Sequence, residues 1–406
     1  MKKIISLLLT ASVVFAASVL ITDKSISKFE MPVYENGNSR EIIRSMESDI
    51  DAAIEIAGTA ATNTDAGKIS SAFGYVIVTD RISANGRNDV SDELQEIIDS
   101  NPNRTIYFPD GIYLLSKPLR TPANPSKSVD LQLSNYAVIR AAENWSGDSL
   151  IHLGGKDAAN DTHTAGSNYS LTGGVLDGSG LANGVSIDSG RETAIRNVSV
   201  KNTPVGIKVN YGANSGSSDA DISNVNIIGT GATDSVGIYV EGYDNTFTNI
   251  RIGNVFTGVH LKSSANSLRN IHPLYYSDYT DYENSCGFLD EGGNNIYDFC
   301  YSDQFCIGFR TLNGASSIFD NCFCFWYSEA GGREIAFKAD GKFNSVVTNF
   351  RGGFRGDTVN SVLVADENGG SGVFDNLLVY SNDVSDRNHK NYTEGSFFMI
   401  LKNLFA

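Results

Sequence analysis

The chain has 406 residues with 40 glycines, 8 prolines and 19% charged residues, a composition that excludes a disordered chain and a coiled coil. Its formal net charge of −16 argues against nucleic acid as a partner, because phosphate backbones require a basic surface. The same charge would repel an anionic glycan unless a divalent cation or a local arginine patch intervenes, and it also suits a soluble exported protein.

The N-terminal segment has the features of an export signal. Lys2 and Lys3 precede an almost continuous apolar run from Ile4 to Ile21, and a cleavage site of small residues ends at Ala16. We therefore expect a bacterial-type signal peptide over residues 1–22 and a secreted, extracellular protein. The length of the apolar run leaves an uncleaved anchor as the alternative. No later stretch of sequence is apolar enough to span a membrane, so no membrane association is expected after signal removal.

Residues 23–70 are predicted to form a helical segment and a linker. Apolar residues recur at helical spacing from Ile42 to Ile54, and residues 58–70 are small and polar. We predict that this helix caps the domain that follows over residues 71–406, because the open end of a solenoid exposes its core and unpaired backbone.

The next elements alternate between strands and one short helix. Phe73–Val78 reads as a strand, Asn85-Gly86 as a turn, and Thr105–Leu115 as two strands around a Pro-Asp-Gly bend. Between them, Ser91 is predicted to cap a helix whose apolar face consists of Leu94, Ile97 and Ile98.

From about Leu133 onward the sequence repeats a unit of two or three short strands without an amphipathic helix. In most units an apolar-x-Asn/Asp-apolar strand is followed by a variable stretch and a strand that begins like Gly206-Ile207. The repeat is about 21–29 residues long, shorter than a propeller blade and without the fixed leucines of a leucine-rich repeat. The pattern predicts an all-β parallel β-helix, a solenoid of about ten coils.

One polar position recurs in every unit. Successive coils of a parallel β-helix lie about 4.8 Å apart, so equivalent side chains stand above one another and their amides can hydrogen-bond along the stack. We therefore give this position a structural role and exclude it from catalysis. The residues assigned to it are Asn197, Asn224, Asn249, Asn270, Asp298, Asp320, Asn349 and Asn376.

All five cysteines lie between Cys286 and Cys324. Their odd number, with no CxxC motif and no partnered histidine, suits neither a disulfide framework nor a zinc site. Cys300 and Cys322 have the same offset on adjacent coils, and export would permit a disulfide between them. We favour a reduced internal stack, because one coil rise exceeds the ~3.8 Å Cβ separation that a disulfide prefers.

Two segments resemble a known group of proteins. Asn85–Gln95 with Thr105–Leu119 is similar to the opening signature of the pectate-lyase-like superfamily, in its glycoside-hydrolase-family-28-related and rhamnogalacturonase-type branch, and Gly174–Gly180 is similar to its Asp-Gly-x-Gly coil. The resemblance implies a right-handed parallel β-helix, often a homotrimer, that acts on a polysaccharide or oligosaccharide by hydrolysis, lyase chemistry or epimerisation. The Gly-His-Gly and Arg-Ile-Lys motifs of family-28 polygalacturonases and the Arg-x-Pro-x-x-Arg motif of calcium-dependent pectate lyases are absent from the sequence. No catalytic residue is therefore carried over.

The binding site is expected on the outer surface of the coils, between residues 271 and 357, where the variable stretches are longest and most aromatic. Counting five and six residues from the polar position predicts a surface column on four coils, with Trp326 facing outward as a sugar platform and about half of the other aromatic residues facing inward. The column contains Tyr275, Tyr276, Asp303, Gln304, Phe325, Trp326, Phe354 and Arg355. The predicted substrate-binding residues are Tyr275, Tyr276, Trp326, Tyr327, Arg333, Arg351 and Arg355.

Asp303, Glu329 and Asp278 are the predicted catalytic residues, because they lie on adjacent coils near aromatic and arginine side chains. Glycosidases use two carboxylates about 5.5 Å or about 6.5–9.5 Å apart, and one or two coil steps permit either separation. A glycoside hydrolase without a cofactor is favoured over a polysaccharide lyase, which would favour Ca²⁺ among Asp278, Asp281 and Glu283 and arginines that bind a uronate. The alternative is a non-catalytic polysaccharide-binding or adhesion β-helix of the tailspike type.

Overall fold

The structure is a computed structural model that describes residues 74–156, 169–211, 217–276, 279–326, 334–354, 361–365, 370–381, 393–394 and 400–405. Gly74–Ala406 forms one compact unit. The predicted signal peptide (1–22), helical segment and linker (23–70) lie outside the described residues. Within the described part of the chain, no helix has the length and apolar character needed to cross a membrane.

The described elements are mostly short strands. The first half contains β1 (Tyr75–Ile77), β2 (Asn85–Asp89), α1 (Ser91–Ser100), β3 (Arg104–Phe108), β4 (Gly111–Leu115), β5 (Leu119–Pro122), β6 (Val129–Leu133), β7 (Ala137–Ala141), β8 (Ser149–Lys156), β9 (Ser170–Thr172), β10 (Val175–Asp177), β11 (Asn183–Ile187), β12 (Gly190–Arg191), β13 (Ala194–Arg196), β14 (Ser199–Thr203), β15 (Val205–Val209), β16 (Ser217–Ser218) and β17 (Asp221–Gly229). The second half contains β18 (Val236–Val240), β19 (Thr246–Gly253), β20 (Thr257–Leu261), β21 (Ser267–Leu274), β22 (Cys286–Asp290), β23 (Ile296–Asp298), β24 (Tyr301–Asp303), β25 (Ile307–Thr311), β26 (Ile318–Asp320), β27 (Phe323–Phe325), β28 (Ile335–Ala339), β29 (Val346–Thr348), β30 (Arg351–Phe354), β31 (Ser361–Ala365), β32 (Val373–Ser381), β33 (Thr393–Glu394) and β34 (Ile400–Phe405). Three short 3-10 helices span Val78–Asp80, Pro125–Lys127 and Tyr279–Asn284.

Successive coils stack their strands in parallel. Among the described residues, one sheet contains eleven strands, from β5 through β8, β11 and β15 to β33, and another contains twenty-one. The larger sheet is continuous because long strands pass through a corner of the coil: β21, for example, pairs with both β23 and β24. The predicted all-β parallel β-helix is confirmed, with one strand of the eleven-stranded sheet for each coil.

Side chains alternate along each strand, as the period of a β-strand requires. In β21, Ile271 and Pro273 are buried, whereas His272 and Leu274 are half-buried on the outer surface. The interior of the later coils is aromatic, and rings on adjacent coils stack, with Tyr297 and Phe319 centroids 4.4 Å apart. This stacking follows from the coil rise, which places equivalent residues at the ring-contact distance.

The five cysteines are buried and free, so the predicted reduced state is confirmed. Burial raises the pKa of Cys286 and of Cys306 to about 12, and it also raises the pKa of the Cys322 thiol well above its ordinary value. The thiols of Cys286, Cys306 and Cys322 are therefore protonated and unreactive in the folded protein.

The recurring polar position forms a ladder of left-handed backbone residues at one corner of the coil. Asn249 donates its side-chain amide to Asn224 Oδ1 at 2.7 Å, and Asn270 donates to Asn249 Oδ1 at 3.2 Å. The structural role is confirmed, but the assignment of Asp298 and Asp320 is wrong. In their coils the left-handed residue is the next one, Phe299 or Asn321.

Helix α1 buries Leu94, Ile97 and Ile98, as predicted. The prediction that Ser91 caps the helix is wrong, because the N-cap residue is Val90. The Ser91 hydroxyl instead accepts a hydrogen bond from the backbone N–H of Ser116 at 2.9 Å, which ties the helix to the following coil.

Candidate functional site

The register between coils decides which side chains of residues 271–357 meet. Asp303 pairs with Leu274 on the coil below and with Phe325 on the coil above, and Phe325 pairs with Gly353. The predicted column is therefore correct for Asp303 and Phe325. At its two ends the prediction is displaced by one residue, because Leu274 and Gly353 take the places predicted for Tyr275 and Phe354. The shift follows from the ladder error, since Asp298 aligns with Arg269 rather than with Asn270.

Two predicted binding residues lie inside the coil. Trp326 is 2% exposed, and its indole N–H donates to the carbonyl of Phe305 at 2.6 Å. Tyr275 is also buried, with its ring 5.5 Å from that of Phe305. The prediction that Trp326 is an outward sugar platform is wrong, because Phe325, the last residue of β27, faces outward and Trp326, which follows it, lies on the opposite side of the backbone.

The outward side chains form a surface that we call the aromatic face. Two parallel columns, one from each outward position of β21, β24 and β27, make up this face. The first column contains His272, Tyr301 and Phe323, and the second contains Leu274, Asp303 and Phe325.

Rings of the first column stack on one another along the axis of the β-helix. The centroids of His272 and Tyr301 are 4.1 Å apart with planes at 17°, and those of Tyr301 and Phe323 are 4.7 Å apart with planes at 30°. Because the ring faces cover one another, the stack presents ring edges to solvent. A sugar can contact these edges but cannot stack between the rings.

Asp303 supplies a carboxylate to the aromatic face. Its side chain is 13% exposed, and Oδ2 accepts a hydrogen bond from the Tyr301 hydroxyl at 3.2 Å. His272 Nε2 lies 3.6 Å from the same oxygen. Among the described residues, neither Asp303 Oδ1 nor His272 Nε2 has a hydrogen-bond partner. Both atoms have almost no exposed surface, and buried polar atoms are rarely left unpaired, so the hydrogen-bonding capacity of this pair is not filled by the described residues.

Tyr276 lies at the lower end of the aromatic face and is 48% exposed. Its ring rests on the backbone of Gly253, where a Cβ would lie 2.3 Å from the Tyr276 hydroxyl oxygen and 2.7 Å from Cζ. Any side chain at position 253 would displace the ring. The absence of a side chain at Gly253 therefore leaves room for the Tyr276 ring. The solvent-exposed surface of that ring is available for a sugar ring.

Arg351 lies at the upper end of the face, on the coil above Phe323, with its side chain exposed. Five predicted site residues lie outside the described residues, namely Asp278, Tyr327, Glu329, Arg333 and Arg355. Their catalytic and binding roles stay predictions. Of the residues proposed for Ca²⁺, the side chain of Glu283 is described and is exposed.

Sequence reasoning missed His272, Tyr301 and Phe323. The signal that could have found them is their position in the sequence. Each member of the first column lies two residues before a member of the second column, as Tyr301 lies two residues before Asp303. Residues two apart in a strand face the same side, so this spacing marks a shared outward surface once the register is known.

Comparisons with known proteins agree with this architecture. A family model described as "Rhamnogalacturonase A/epimerase, pectate lyase-like" matches residues 77–280. No curated protein matches the sequence. Among solved structures, a tailspike protein double mutant of E. coli bacteriophage HK620 is 14% identical with a TM-score of 0.57, covering 82% of this chain and 66% of that chain.

A tailspike mutant of the same phage, in complex with a pentasaccharide, is 13% identical with a TM-score of 0.58 and the same coverage. The A-module of a mannuronan C-5 epimerase from Azotobacter vinelandii is 12% identical with a TM-score of 0.47, covering 81% of this chain and 96% of that module. This chain thus spans 66% of the length of the tailspike chains, and at identities of 13% and 14% the likeness to those chains shows the fold alone. The family model, by contrast, covers half of the chain. The described residues of the matched range form coils of a parallel β-helix, so the chain belongs to the rhamnogalacturonase A/epimerase, pectate lyase-like family.

Proposed function

We propose that this protein is a secreted carbohydrate-active enzyme that binds a polysaccharide along the aromatic face and hydrolyses it. The observation that carries the proposal is the placement of Asp303, a half-buried carboxylate with an unfilled acceptor oxygen, among aromatic and apolar outward side chains. Apolar and aromatic surface with a few well-placed polar groups is typical of small-ligand sites. Support for a glycan comes from the family and from the pentasaccharide bound by the phage tailspike mutant.

The dimensions of the face suit an extended chain of sugars. The ring of Tyr276 lies on the coil of Gly253, two coils below Asp303, and Arg351 lies two coils above Asp303. At about 4.8 Å per coil these contacts extend over about 19 Å. In the proposed complex Tyr276 stacks on one sugar ring, Asp303 faces the scissile region and Arg351 binds hydroxyl or carboxylate groups.

Hydrolysis by the usual route requires a second carboxylate about 5.5 Å or about 6.5–9.5 Å from the first. We propose Glu329 or Asp278 for this role. Glu329 follows Phe325, and Asp278 follows Leu274, by four residues in the sequence, and both Phe325 and Leu274 pair with Asp303. One carboxyl group would protonate the leaving oxygen, and the other would activate water or attack the sugar.

Lyase chemistry is the less favoured enzymatic proposal. It would use Arg333, Arg351 and Arg355 to bind a uronate carboxylate and a Ca²⁺ ion to stabilise the charge that develops when a proton is removed. Such a reaction yields an unsaturated sugar, whereas hydrolysis does not, so the two products separate the proposals.

A non-catalytic binding protein is the second candidate function. It is favoured by the composition of the described aromatic face, on which Asp303 is the one carboxylate and its Oδ2 is engaged by Tyr301. An Asp303 that serves only to orient Tyr301 and to bind sugar hydroxyls needs no second carboxylate.

A panel of polysaccharides assayed for reducing ends and for absorbance near 235 nm tests the proposal. Reducing ends without an unsaturated product mean hydrolysis, and both signals together mean a lyase. Binding without either signal would reject hydrolysis and lyase chemistry and would favour the binding protein. Asp303→Asn is expected to abolish turnover and keep the wild-type circular dichroism spectrum, because the amide keeps the shape of the side chain.

The matched control for Asp303→Asn is Asp221→Asn. Asp221 is an exposed carboxylate on an earlier coil that pairs with Arg196, and exposed ion pairs contribute little to stability. Its replacement should leave turnover unchanged. Full activity in Asp303→Asn would remove Asp303 from the proposed mechanism.

A further inference from the structure

One position of the polar ladder holds a residue that its backbone conformation disfavours. Members of the ladder have positive φ values, and Phe299 has a φ of +53° where Asn270 below it and Asn321 above it both have +55°. Asparagine tolerates this left-handed conformation because its short polar side chain can bond locally, whereas a bulky aromatic residue there is an outlier. The phenylalanine is therefore strained relative to the asparagine used elsewhere in the ladder.

Phe299 also interrupts the hydrogen bonds of the ladder. An asparagine would continue the chain of amides that joins Asn224, Asn249 and Asn270. Without it, the Asn321 amide donates to Asp320 Oδ2 at 2.9 Å and to Asp298 Oδ1 at 3.4 Å. At this coil the ladder thus lacks a hydrogen bond between side-chain amides, in addition to the backbone strain at Phe299.

Burial does not compensate for these two losses, because the Phe299 side chain is 55% exposed. A ring that is strained, that breaks a ladder and that stays in water has no evident structural purpose. Strained residues of this kind persist at functional sites, and the inference runs from the observed outlier to a function.

The surroundings of Phe299 indicate what the ring binds. It lies two residues before Tyr301, on the coil of Asp303, at the corner where β23 ends and β24 begins. Two amides, of Asn270 and Asn321, and the half-buried Asp298 carboxylate flank it. An aromatic ring beside amide and carboxylate groups offers a sugar both an apolar surface and hydrogen-bond partners for its hydroxyls.

We propose that Phe299 is a carbohydrate-binding residue that extends the aromatic face around the corner of the coil and holds one pyranose ring of the polysaccharide. This rests on the proposed function, of which it defines an additional subsite. An exposed apolar column, consisting of Ile296, Ile318 and Val346, lies on the other side of the corner, on the strands that precede the ladder residues. It is the neighbouring apolar surface from which the Phe299 subsite has to be distinguished.

Phe299→Asn tests the subsite because it should improve the fold while it harms binding. The probe is the polysaccharide that gives the highest wild-type signal on a glycan microarray, followed by calorimetric titration. Phe299→Asn is expected to raise Tm, by on the order of 2 °C, and to weaken affinity about 5-fold. Phe299→Tyr keeps the ring and should match the wild type in both measurements.

Two further variants separate the subsite from its alternatives. Ile318→Ser should leave affinity unchanged, and a loss equal to that of Phe299→Asn would mean that the apolar column, not the subsite, binds the ligand. Wild-type affinity in Phe299→Asn, or a lowered Tm, would overturn the inference. If Tyr276→Ala weakens binding while Phe299→Asn does not, the proposed function stands and the subsite fails; a wild-type protein that binds no glycan overturns both.

Discussion

Replacing Trp326 with alanine should cost stability and spare glycan affinity, because the indole is packed inside the coil. Truncating a buried aromatic side chain costs about 3–5 kcal/mol in unfolding free energy. The Phe305 carbonyl, which accepts the 2.6 Å indole hydrogen bond, loses its partner and adds about 1 kcal/mol. We therefore expect a total loss of about 4–6 kcal/mol. Trp326→Phe retains most of the ring and should cost about 1–3 kcal/mol.

Urea unfolding followed by circular dichroism measures this loss, and glycan titration of the folded protein measures affinity. The chain has two tryptophans, so Trp145→Phe provides a background in which fluorescence reports Trp326 alone. In that background the emission should be that of a buried indole and should not respond to glycan. A wild-type unfolding curve for Trp326→Ala, together with lost affinity, would place the indole on the surface and refute the register described above.

Three other perturbations test the contact between Gly253 and Tyr276, the ladder, and the hydrogen bonds of Asp188. Gly253→Ala should displace Tyr276 and weaken glycan affinity about 3–10-fold with unchanged Tm, since the new Cβ meets only the end of that ring; calorimetric titration measures it. Asn249→Ala removes two ladder bonds and leaves a Cβ at positive φ, so urea unfolding should show a loss of about 2–3 kcal/mol, with a smaller loss in Asn249→Gly. Burial alone would raise the pKa of Asp188, but hydrogen bonds from His152 and other neighbours hold it below the ordinary value. The stability it contributes is therefore present above the unfolded pKa and lost as pH falls through the folded one, so the Tm deficit of Asp188→Asn at pH 7 should shrink in acid.

Much of the architecture could be predicted because each coil of a solenoid requires similar residues at equivalent positions, so the sequence repeats at the length of a coil. The recurrence of Asn197, Asn224 and Asn249 reflects a backbone corner that needs a left-handed residue on every coil. The apolar residues on either side reflect the alternation of a strand between core and solvent. These signals require no knowledge of contacts between distant parts of the chain, so the sequence alone contained them.

The site was harder to predict, since it depends on register to within one residue. Asp298 and Asp320 each precede the true corner residue, and Asp at such a corner is as plausible as Asn. Phe299 is hard to recognise as the corner residue of its coil, because aromatic residues are rarely found at positive φ. A one-residue slip exchanges the two surfaces of a strand, which moved Trp326 outward in the prediction and left Tyr301 unnoticed.

The aromatic side chains of the outer surface divide into two kinds with different capacities. His272, Tyr301 and Phe323 cover one another's faces, so they form a stiff wall of ring edges whose geometry is set by the coil rise. Tyr276 and Phe299 stand apart from the stack and keep about half of their surfaces open. Their rings are on coils two steps apart, about 9.6 Å along the axis, and on different columns of the surface. A glycan that stacks on both must therefore cross the face diagonally, which brings the intervening sugars over the edges of His272 and Tyr301 and toward Asp303. The described part of this face has one carboxylate, Asp303, and one arginine, Arg351, so the proposed contacts would select for the path of the glycan rather than for its charge.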